Sequence, residues 1–160
     1  MPFLAGLVGE YVRGPRFFKL RERPVFRTAG GATYFAEVGL TCDLESVPDM
    51  ARGIHVLVAP HRIGALPGAV HDAGYQGLLT RVEDGAVGAD AIPKDLLDSI
   101  FREMLLSDDP FHEAATELQA DTMWAAVRSR FGDMAWEAWR AVDRAAEAAD
   151  RVRAALNRQR

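Results

Sequence analysis

The chain contains a single cysteine, Cys42, among 160 residues, which excludes an intramolecular disulfide. It has no excess of basic residues: the formal net charge is −4, which argues against general binding of nucleic acid. The apolar stretch over residues 1–12 is interrupted by Gly6, Gly9 and Glu10, and it is too short for a signal peptide or a membrane span. We therefore expect a protein that folds on its hydrophobic core, binds no nucleic acid and has no transmembrane segment.

The residues that are present make up an ordinary globular composition. Hydrophobic residues account for 49% of the chain and charged residues for 26%, so neither disorder nor membrane residence is indicated. A length of 160 residues corresponds to one domain. We predict a single α+β domain over residues 1–132, followed by an alanine-rich helix over residues 133–160 that docks on the domain or forms an interface.

Patterns typical of β-strands predominate near the start of the chain. Three runs are predicted to be strands: residues 17–21, 24–28 and 33–38. The pair Gly30–Gly31, between the second and third runs, predicts a hairpin. Residues 56–67 are interpreted as a loop with a short turn or strand, and residues 80–91 as a loop.

Helical periodicity dominates the rest of the chain. A first helix is predicted from Pro67 to Gln76, a second begins at Pro93, and a third runs over residues 110–130 and is ended by Gly132. The predicted fold class is therefore α+β, with a small N-terminal antiparallel β-sheet followed by a helical bundle and a long C-terminal helix.

The C-terminal helix carries a short heptad pattern. Apolar and small residues recur at spacings of three and four, at Val142, Ala145, Ala149, Val152 and Leu156. This pattern allows close approach of a second helix, either from the same domain or from another chain. Docking on its own domain and pairing with a partner protein or a second copy both stay open.

Four polar residues form the one constellation with chemical content. On the first predicted helix His71 and Tyr75 are four residues apart and Asp72 and Tyr75 three apart, so each pair shares a helix face. On the second helix Asp98 lies among apolar residues, where a carboxylate needs a partner. If the helices pack antiparallel, Asp98 accepts a hydrogen bond from one nitrogen of His71 and leaves the other to take a proton from water. Asp72 then points elsewhere and is available to a metal.

A structural interpretation competes with this one. Asp98 and Arg102 are one helical turn apart, and such a pair forms an ordinary surface salt bridge that contributes little stability. In that case His71 and Asp72 belong to a structural network.

The same residues occur in an ordered set of motifs. The run over residues 39–48, GLTCDLESVP, is followed by His71-Asp72-x-x-Tyr75, by Asp98-x-x-Phe101 and by AVRSRFG at residues 126–132. This order resembles the signatures of a phage and prophage family, the domain of unknown function 1353 family. The resemblance implies a bacteriophage or prophage protein, located in the cytoplasm of the bacterial host or in the virion.

A second resemblance concerns the helix pair alone. His71-Asp72-Ala73-Gly74-Tyr75 and Asp98-x-x-Phe101 are similar to the paired catalytic helices of secreted phospholipase A₂, especially the bacterial type. This resemblance implies that His71 is the general base, that Asp98 orients it and that Tyr75 braces Asp98. It also implies a calcium ion bound by Asp72 and by backbone carbonyls of an upstream loop, for which the turn at Asp43 and Leu44 is the candidate.

Two functions therefore compete. One is a phage or prophage accessory protein, a virion component or an inhibitor of host defence, that acts through protein–protein contacts. The other is a calcium-dependent, phospholipase A₂-like ester hydrolase that uses the His71–Asp98 dyad.

Overall fold

The computed structural model describes residues 3–11, 18–42, 61–87, 92–108 and 110–157. A polar turn is also predicted over residues 41–48; residues 41 and 42 form a strand instead, and residues 43–48 lie outside the described ranges. Residue 17 of the predicted strand and residues 56–60 of the predicted loop lie outside them as well. The architecture of the described ranges is α+β, with small antiparallel sheets, four helices and a long last helix, as predicted.

Eight short strands form two antiparallel sheets in the described ranges. They are β1 Phe3–Ala5, β2 Gly9–Tyr11, β3 Phe18–Leu20, β4 Val25–Arg27, β5 Thr33–Ala36, β6 Thr41–Cys42, β7 Leu79–Glu83 and β8 Ala86–Val87. The larger sheet has the order β1-β4-β5-β7-β8 and the smaller one β2-β3-β6. The predicted strands correspond to β3, β4 and β5, and the predicted hairpin at Gly30–Gly31 joins β4 to β5.

The predicted loop over residues 80–91 is wrong, because most of its described part forms the β7–β8 hairpin. The turn of this hairpin is Asp84–Gly85, and both residues have positive φ, 51° and 79°. An Asp-Gly pair is a strong hairpin signal because glycine adopts this backbone conformation without strain and aspartate tolerates it.

The four helices are α1 His61–Tyr75, α2 Lys94–Leu106, α3 Glu117–Val127 and α4 Arg130–Asn157. Helix α1 begins six residues before the predicted start and contains Pro67 in its interior. Helix α3 begins after Thr116 rather than at Pro110. Gly132 does not end a helix, since it lies in the first turn of α4. None of the helices described here is both long enough and apolar enough to cross a membrane.

Helix α1 lies between two hydrophobic clusters. Val70 and Leu66 belong to the larger cluster, which joins the five-stranded sheet to α2 and α3 and includes Phe26, Tyr34 and Phe101. Side chains on another face of α1 form the smaller cluster with β3 and β6; they are Ala65, Ala69 and Ala73. The helix is therefore buried on more than one side, and a polar residue on it must find its partners inside the protein.

Candidate functional site

Helices α1 and α2 run antiparallel and approach each other closely. Tyr75, the last residue of α1, lies near Lys94, the first residue of α2, while His71 contacts Phe101 further along α2, with ring centroids 4.6 Å apart. Gly74 faces Leu97 at the crossing, where the absence of a side chain allows the close approach. This is the packing that the sequence required for His71 to reach Asp98.

His71, Tyr75 and Asp98 meet in the interior. Nε2 of His71 lies 3.0 Å from Oδ1 of Asp98, and the side chains of both residues are almost fully buried. The hydroxyl group of Tyr75 donates a hydrogen bond to the same oxygen at 3.1 Å. The structure thus brings together the three residues that the sequence singled out as base, orienting acid and brace.

The second oxygen of Asp98 is occupied by Lys94, which sequence reasoning missed. Nζ of Lys94 lies 2.7 Å from Oδ2 of Asp98 and donates a hydrogen bond to it. The alternative partner, Arg102, binds Asp121 on α3 instead, with 2.7 Å between Nε and Oδ1. The expectation of a surface pair between Asp98 and Arg102 is therefore wrong. The spacing of four between Lys94 and Asp98 was the available signal.

Burial and charge set the protonation states of this cluster. Burial lowers the pKa of His71 below its usual value and outweighs the opposing effect of Asp98. Burial raises the pKa of Asp98, but the hydrogen bonds from His71 and Lys94 outweigh it and hold that pKa below its usual value. Burial and the charge of Asp98 raise the pKa of Tyr75. At neutral pH these directions correspond to a neutral imidazole, an ionised carboxylate and a neutral tyrosine.

The remaining ring nitrogen of His71, Nδ1, is the atom that makes the site a candidate for acid–base catalysis. An ionised Asp98 accepts a hydrogen bond from Nε2, so the neutral ring has its lone pair on Nδ1. Nδ1 is buried and has no hydrogen-bond partner within the described ranges. A buried polar atom without a partner is costly, and a catalytic role is one of the explanations for it. Because His71 is only 2% exposed, a water molecule reaches Nδ1 only through a local opening.

The predicted metal ligands are divided between described and undescribed residues. Asp72 is half-buried at the position after His71, and its charge contributes to the raised pKa of Tyr75. Asp43 and Leu44 lie outside the described residues. Within the described ranges no three His, Cys, Asp or Glu side chains are grouped as a metal site. One carboxylate provides a single hard oxygen ligand of the type that calcium requires, and the rest of a site would have to come from elsewhere.

Helix α4 completes the surroundings of the cluster. The ring of Trp136 contacts that of Tyr75 edge to face at a centroid distance of 5.2 Å, and the guanidinium group of Arg140 lies over Trp136. The site is therefore assembled from α1 and α2 and covered on one side by the first turns of α4. No protein-family model, curated protein or solved structure matches this chain, so both resemblances identified in the sequence stay predictions.

Proposed function

We propose that this protein is a hydrolase in which His71 is the general base and Asp98 orients it. The observation that carries the proposal is the asymmetry of the imidazole: Nε2 is bound to Asp98, whereas the buried Nδ1 has no partner among the described residues. A buried ring nitrogen without a partner calls for an explanation, and a catalytic role is one that fits a nitrogen whose ring is held by a carboxylate. A base with one nitrogen held by a carboxylate has the geometry of an oriented catalytic histidine.

In the proposed reaction Nδ1 of His71 removes a proton from a water molecule while the water oxygen forms a bond to the carbonyl carbon of an ester. The imidazolium ion is stabilised by the ionised Asp98 across the 3.0 Å contact with Nε2. When the carbon–oxygen bond of the ester breaks, the imidazolium returns its proton to the leaving alcohol. Tyr75 and Lys94 hold the two oxygens of Asp98 in place throughout.

Calcium is part of the proposal through Asp72. Its carboxylate would bind the ion together with backbone carbonyls at Asp43 and Leu44. When bound, calcium would polarise the ester carbonyl as a Lewis acid. The chain's own residues would still perform the proton transfers. Melting with and without millimolar calcium tests this, since a ligand that binds only the folded state raises the midpoint. The rise should be lost in Asp72→Asn and kept in Asp121→Asn, a surface control.

The deciding experiment is an ester-hydrolysis assay in calcium and in chelator. The substrates are phosphatidylglycerol vesicles and a soluble p-nitrophenyl ester. We expect His71→Asn to reduce the rate by about 100-fold or more, the range expected when a general base is lost. His112→Asn is the matched control, because His112 is also a buried histidine but packs on Phe3, outside this cluster. If the folded wild-type protein hydrolyses neither substrate in calcium, the proposal fails.

A second candidate function is binding of a protein partner or a second copy along α4. Its support is a stripe of exposed apolar side chains on one face of the helix, at Phe131, Met134 and Val142, with Val142 58% exposed. Such a stripe is unusual for a helix whose other residues are largely charged or small. This candidate corresponds to the accessory role expected for a phage or prophage protein, in the bacterial cytoplasm or the virion.

The hydrolase and the α4 interface predict different effects of a substitution on the exposed face of α4. Val142→Glu should reduce any self-association measured by light scattering, or capture of a phage or host protein, and should leave ester hydrolysis unchanged. Val87→Glu is the matched control, because Val87 is 67% exposed and lies on β8 rather than on α4. Equal behaviour of the two variants would argue against an interface on α4.

A further inference from the structure

A cavity of about 720 Å³ lies between the β4–β5 hairpin, α2 and α3. Its walls are the residues at and after the end of β4, the second half of α2 and Trp124 on α3. None of the described residues that line it belongs to the His71 cluster, so this cavity is separate from the candidate active site. A volume of this size is typical of binding sites for small molecules.

One side of the cavity is held in place by Glu103. Its Oε1 accepts a hydrogen bond of 2.6 Å from the backbone N–H of Ala29, which joins the hairpin to α2. Arg102 and Leu106 are four residues apart on α2, so they lie on the same face of the helix and form one wall. The cavity is therefore built from elements that are bonded to each other.

Two arginines supply the positive charge of the lining. Arg27 and Arg102 each donate through Nε, to Oγ1 of Thr33 at 3.3 Å and to Oδ1 of Asp121 at 2.7 Å. Within the described ranges neither guanidinium group has a further hydrogen-bond partner, which leaves their terminal nitrogens as donors for a carboxylate. Glu103 in the lining and Asp121 beside it offset part of this charge. The small positive excess fits one negative charge better than two.

The rest of the cavity surface is mostly apolar and is formed by residues such as Ala29, Leu106 and Trp124. The indole Nε1 of Trp124 is buried and has no acceptor in the part of the chain that the structure describes. Because an indole N–H only donates, the partner that it lacks is an acceptor atom. An acceptor reaches this covered atom only after the ring shifts. A ligand with acceptor oxygens and an apolar body matches both properties.

We propose that this cavity binds a small organic carboxylate with an apolar body. The terminal nitrogens of Arg27 and Arg102 bind the carboxylate, and the apolar body packs against Leu106 and Trp124. Charged donors set the orientation of the ligand, and the apolar surface supplies the larger contact area. This binding site does not depend on the hydrolysis proposed for His71, since the two sites share no residue.

The test follows the indole N–H signals of the ¹⁵N-labelled full-length protein by NMR. The chain has three tryptophans, and Trp124→Phe identifies the signal of Trp124. The probe is 2-naphthoate, which carries one carboxylate on a rigid apolar ring system. We expect the Trp124 signal to move saturably, with a dissociation constant of about 1 mM or lower, while the Trp136 and Trp139 signals stay. An unmoved Trp124 signal at about 5 mM probe, or equal movement of all three signals, would overturn the proposal.

Arginine variants test the charged part of the site. Arg102→Met should weaken binding of 2-naphthoate by about tenfold or more, because a charged donor is lost. Arg27→Met should do the same from the opposite wall, and it covers the case in which Arg102→Met does not fold. Arg23→Met is the matched control: it also removes one positive charge, but Arg23 pairs with Glu37 at the surface at 2.8 Å. Unchanged binding in the two cavity variants, or equal weakening in the control, would contradict the assignment.

Two further probes test the class of ligand. The uncharged 2-naphthamide has the same ring system and should bind about tenfold more weakly or worse than 2-naphthoate. The more highly charged 2-naphthyl phosphate should also bind more weakly, because the lining has only a small positive excess. Equal affinity for the amide would make the cavity a purely apolar site, and tighter binding of the phosphate would make it a phosphate site. Either result would overturn the carboxylate assignment, whatever the outcome of the hydrolysis assay.

Discussion

Gly74 on α1 lies so close to Leu97 on α2 that a Cβ atom at position 74 would be 2.4 Å from Cδ2 of Leu97. Leu97 is itself almost completely buried, so its side chain has little room to turn away. Gly74 has only a hydrogen atom where other residues have a side chain, so the two helices approach more closely here than a larger residue would allow. Because His71 is one turn from Gly74 and Asp98 follows Leu97, this close contact lies directly beside the His71–Asp98 hydrogen bond.

Gly74→Ala should destabilise the protein and disturb the His71–Asp98 pair together. Inserting a methyl group into a packed contact costs about 1–3 kcal/mol of unfolding free energy. Urea denaturation measures this loss, and Gly30→Ala is the matched control. Gly30 is exposed in the β4–β5 turn, where a Cβ atom would meet only Thr28 Oγ1 at 3.8 Å. Equal unfolding free energies for the two variants would contradict the close contact.

Asp98→Asn should be strongly destabilising. The substitution leaves Lys94 partly buried opposite an amide in place of its closest carboxylate. Removing one partner of a buried ion pair costs about 3–5 kcal/mol, and the partial exposure of Lys94 places the expected loss near the lower value. Asp121→Asn makes the same chemical change to a pair with Arg102 at the surface, where the loss should be about 1 kcal/mol or less. The difference between their chemical-denaturation midpoints checks this.

The unfolding free energy should fall as the solution becomes acidic, beginning below the ordinary pKa of histidine. The pKa of His71 is lower in the fold than its usual 6.5, so the unfolded chain binds a proton that the folded chain does not. Within that window the loss is at most about 1.4 kcal/mol per pH unit from this residue. The lowered pKa of Asp98 adds a further loss only below its ordinary value of 3.8.

Denaturant titrations between about pH 7.5 and pH 5 measure this dependence. The wild type should lose more unfolding free energy over the range than His71→Asn, whose residue 71 does not titrate. A parallel pH dependence of the two proteins would show that His71 has the same pKa in both states.

Thr116→Ala should destabilise α3 by about 1 kcal/mol through loss of its N-cap. Thr116 and Gln119 form a capping box, in which each side chain bonds the backbone of the other. Thr122→Ala in the same helix is the control, because its hydroxyl bonds only the Leu118 carbonyl within the helix and should contribute little. Thermal melting should give Thr116→Ala a lower midpoint than Thr122→Ala, and the reverse order would contradict the role of the cap.

Much of this cluster was predictable from spacing. The four-residue separation of His71 and Tyr75, and a carboxylate among apolar residues at Asp98, sufficed to predict their meeting. Lys94 was missed because a lysine in a first helical turn is usually exposed, whereas here it also donates a hydrogen bond to the carbonyl oxygen of Val127 at the end of α3. This contact joins residues more than thirty positions apart, which a local pattern does not contain.

The errors in the fold have three separate causes. Gly64 and Pro67 made the start of α1 look like a loop, but burial on two sides stabilises a helix that propensity alone opposes. Gly132 was interpreted as a helix stop because glycine commonly ends helices, whereas here it permits a backbone contact at a helix start. The late start of α3 was signalled by the Thr116–Gln119 capping box, which the preceding Pro110 obscured.

The pairing of β5 with β7 has a consequence for how the site is disrupted when the protein unfolds. These strands flank α1 in sequence and lie side by side in the middle of the larger sheet, in register from Thr33↔Val82 to Ala36↔Leu79. The C-terminal end of α1 is therefore tied to the middle of the sheet, because only three residues separate Tyr75 from the start of β7. We expect the amide protons of β5 and the second half of α1 to exchange with solvent at similar, slow rates. We then expect the His71–Asp98 pair to persist until the whole domain unfolds, so the local opening that admits water to Nδ1 has to leave this pair intact.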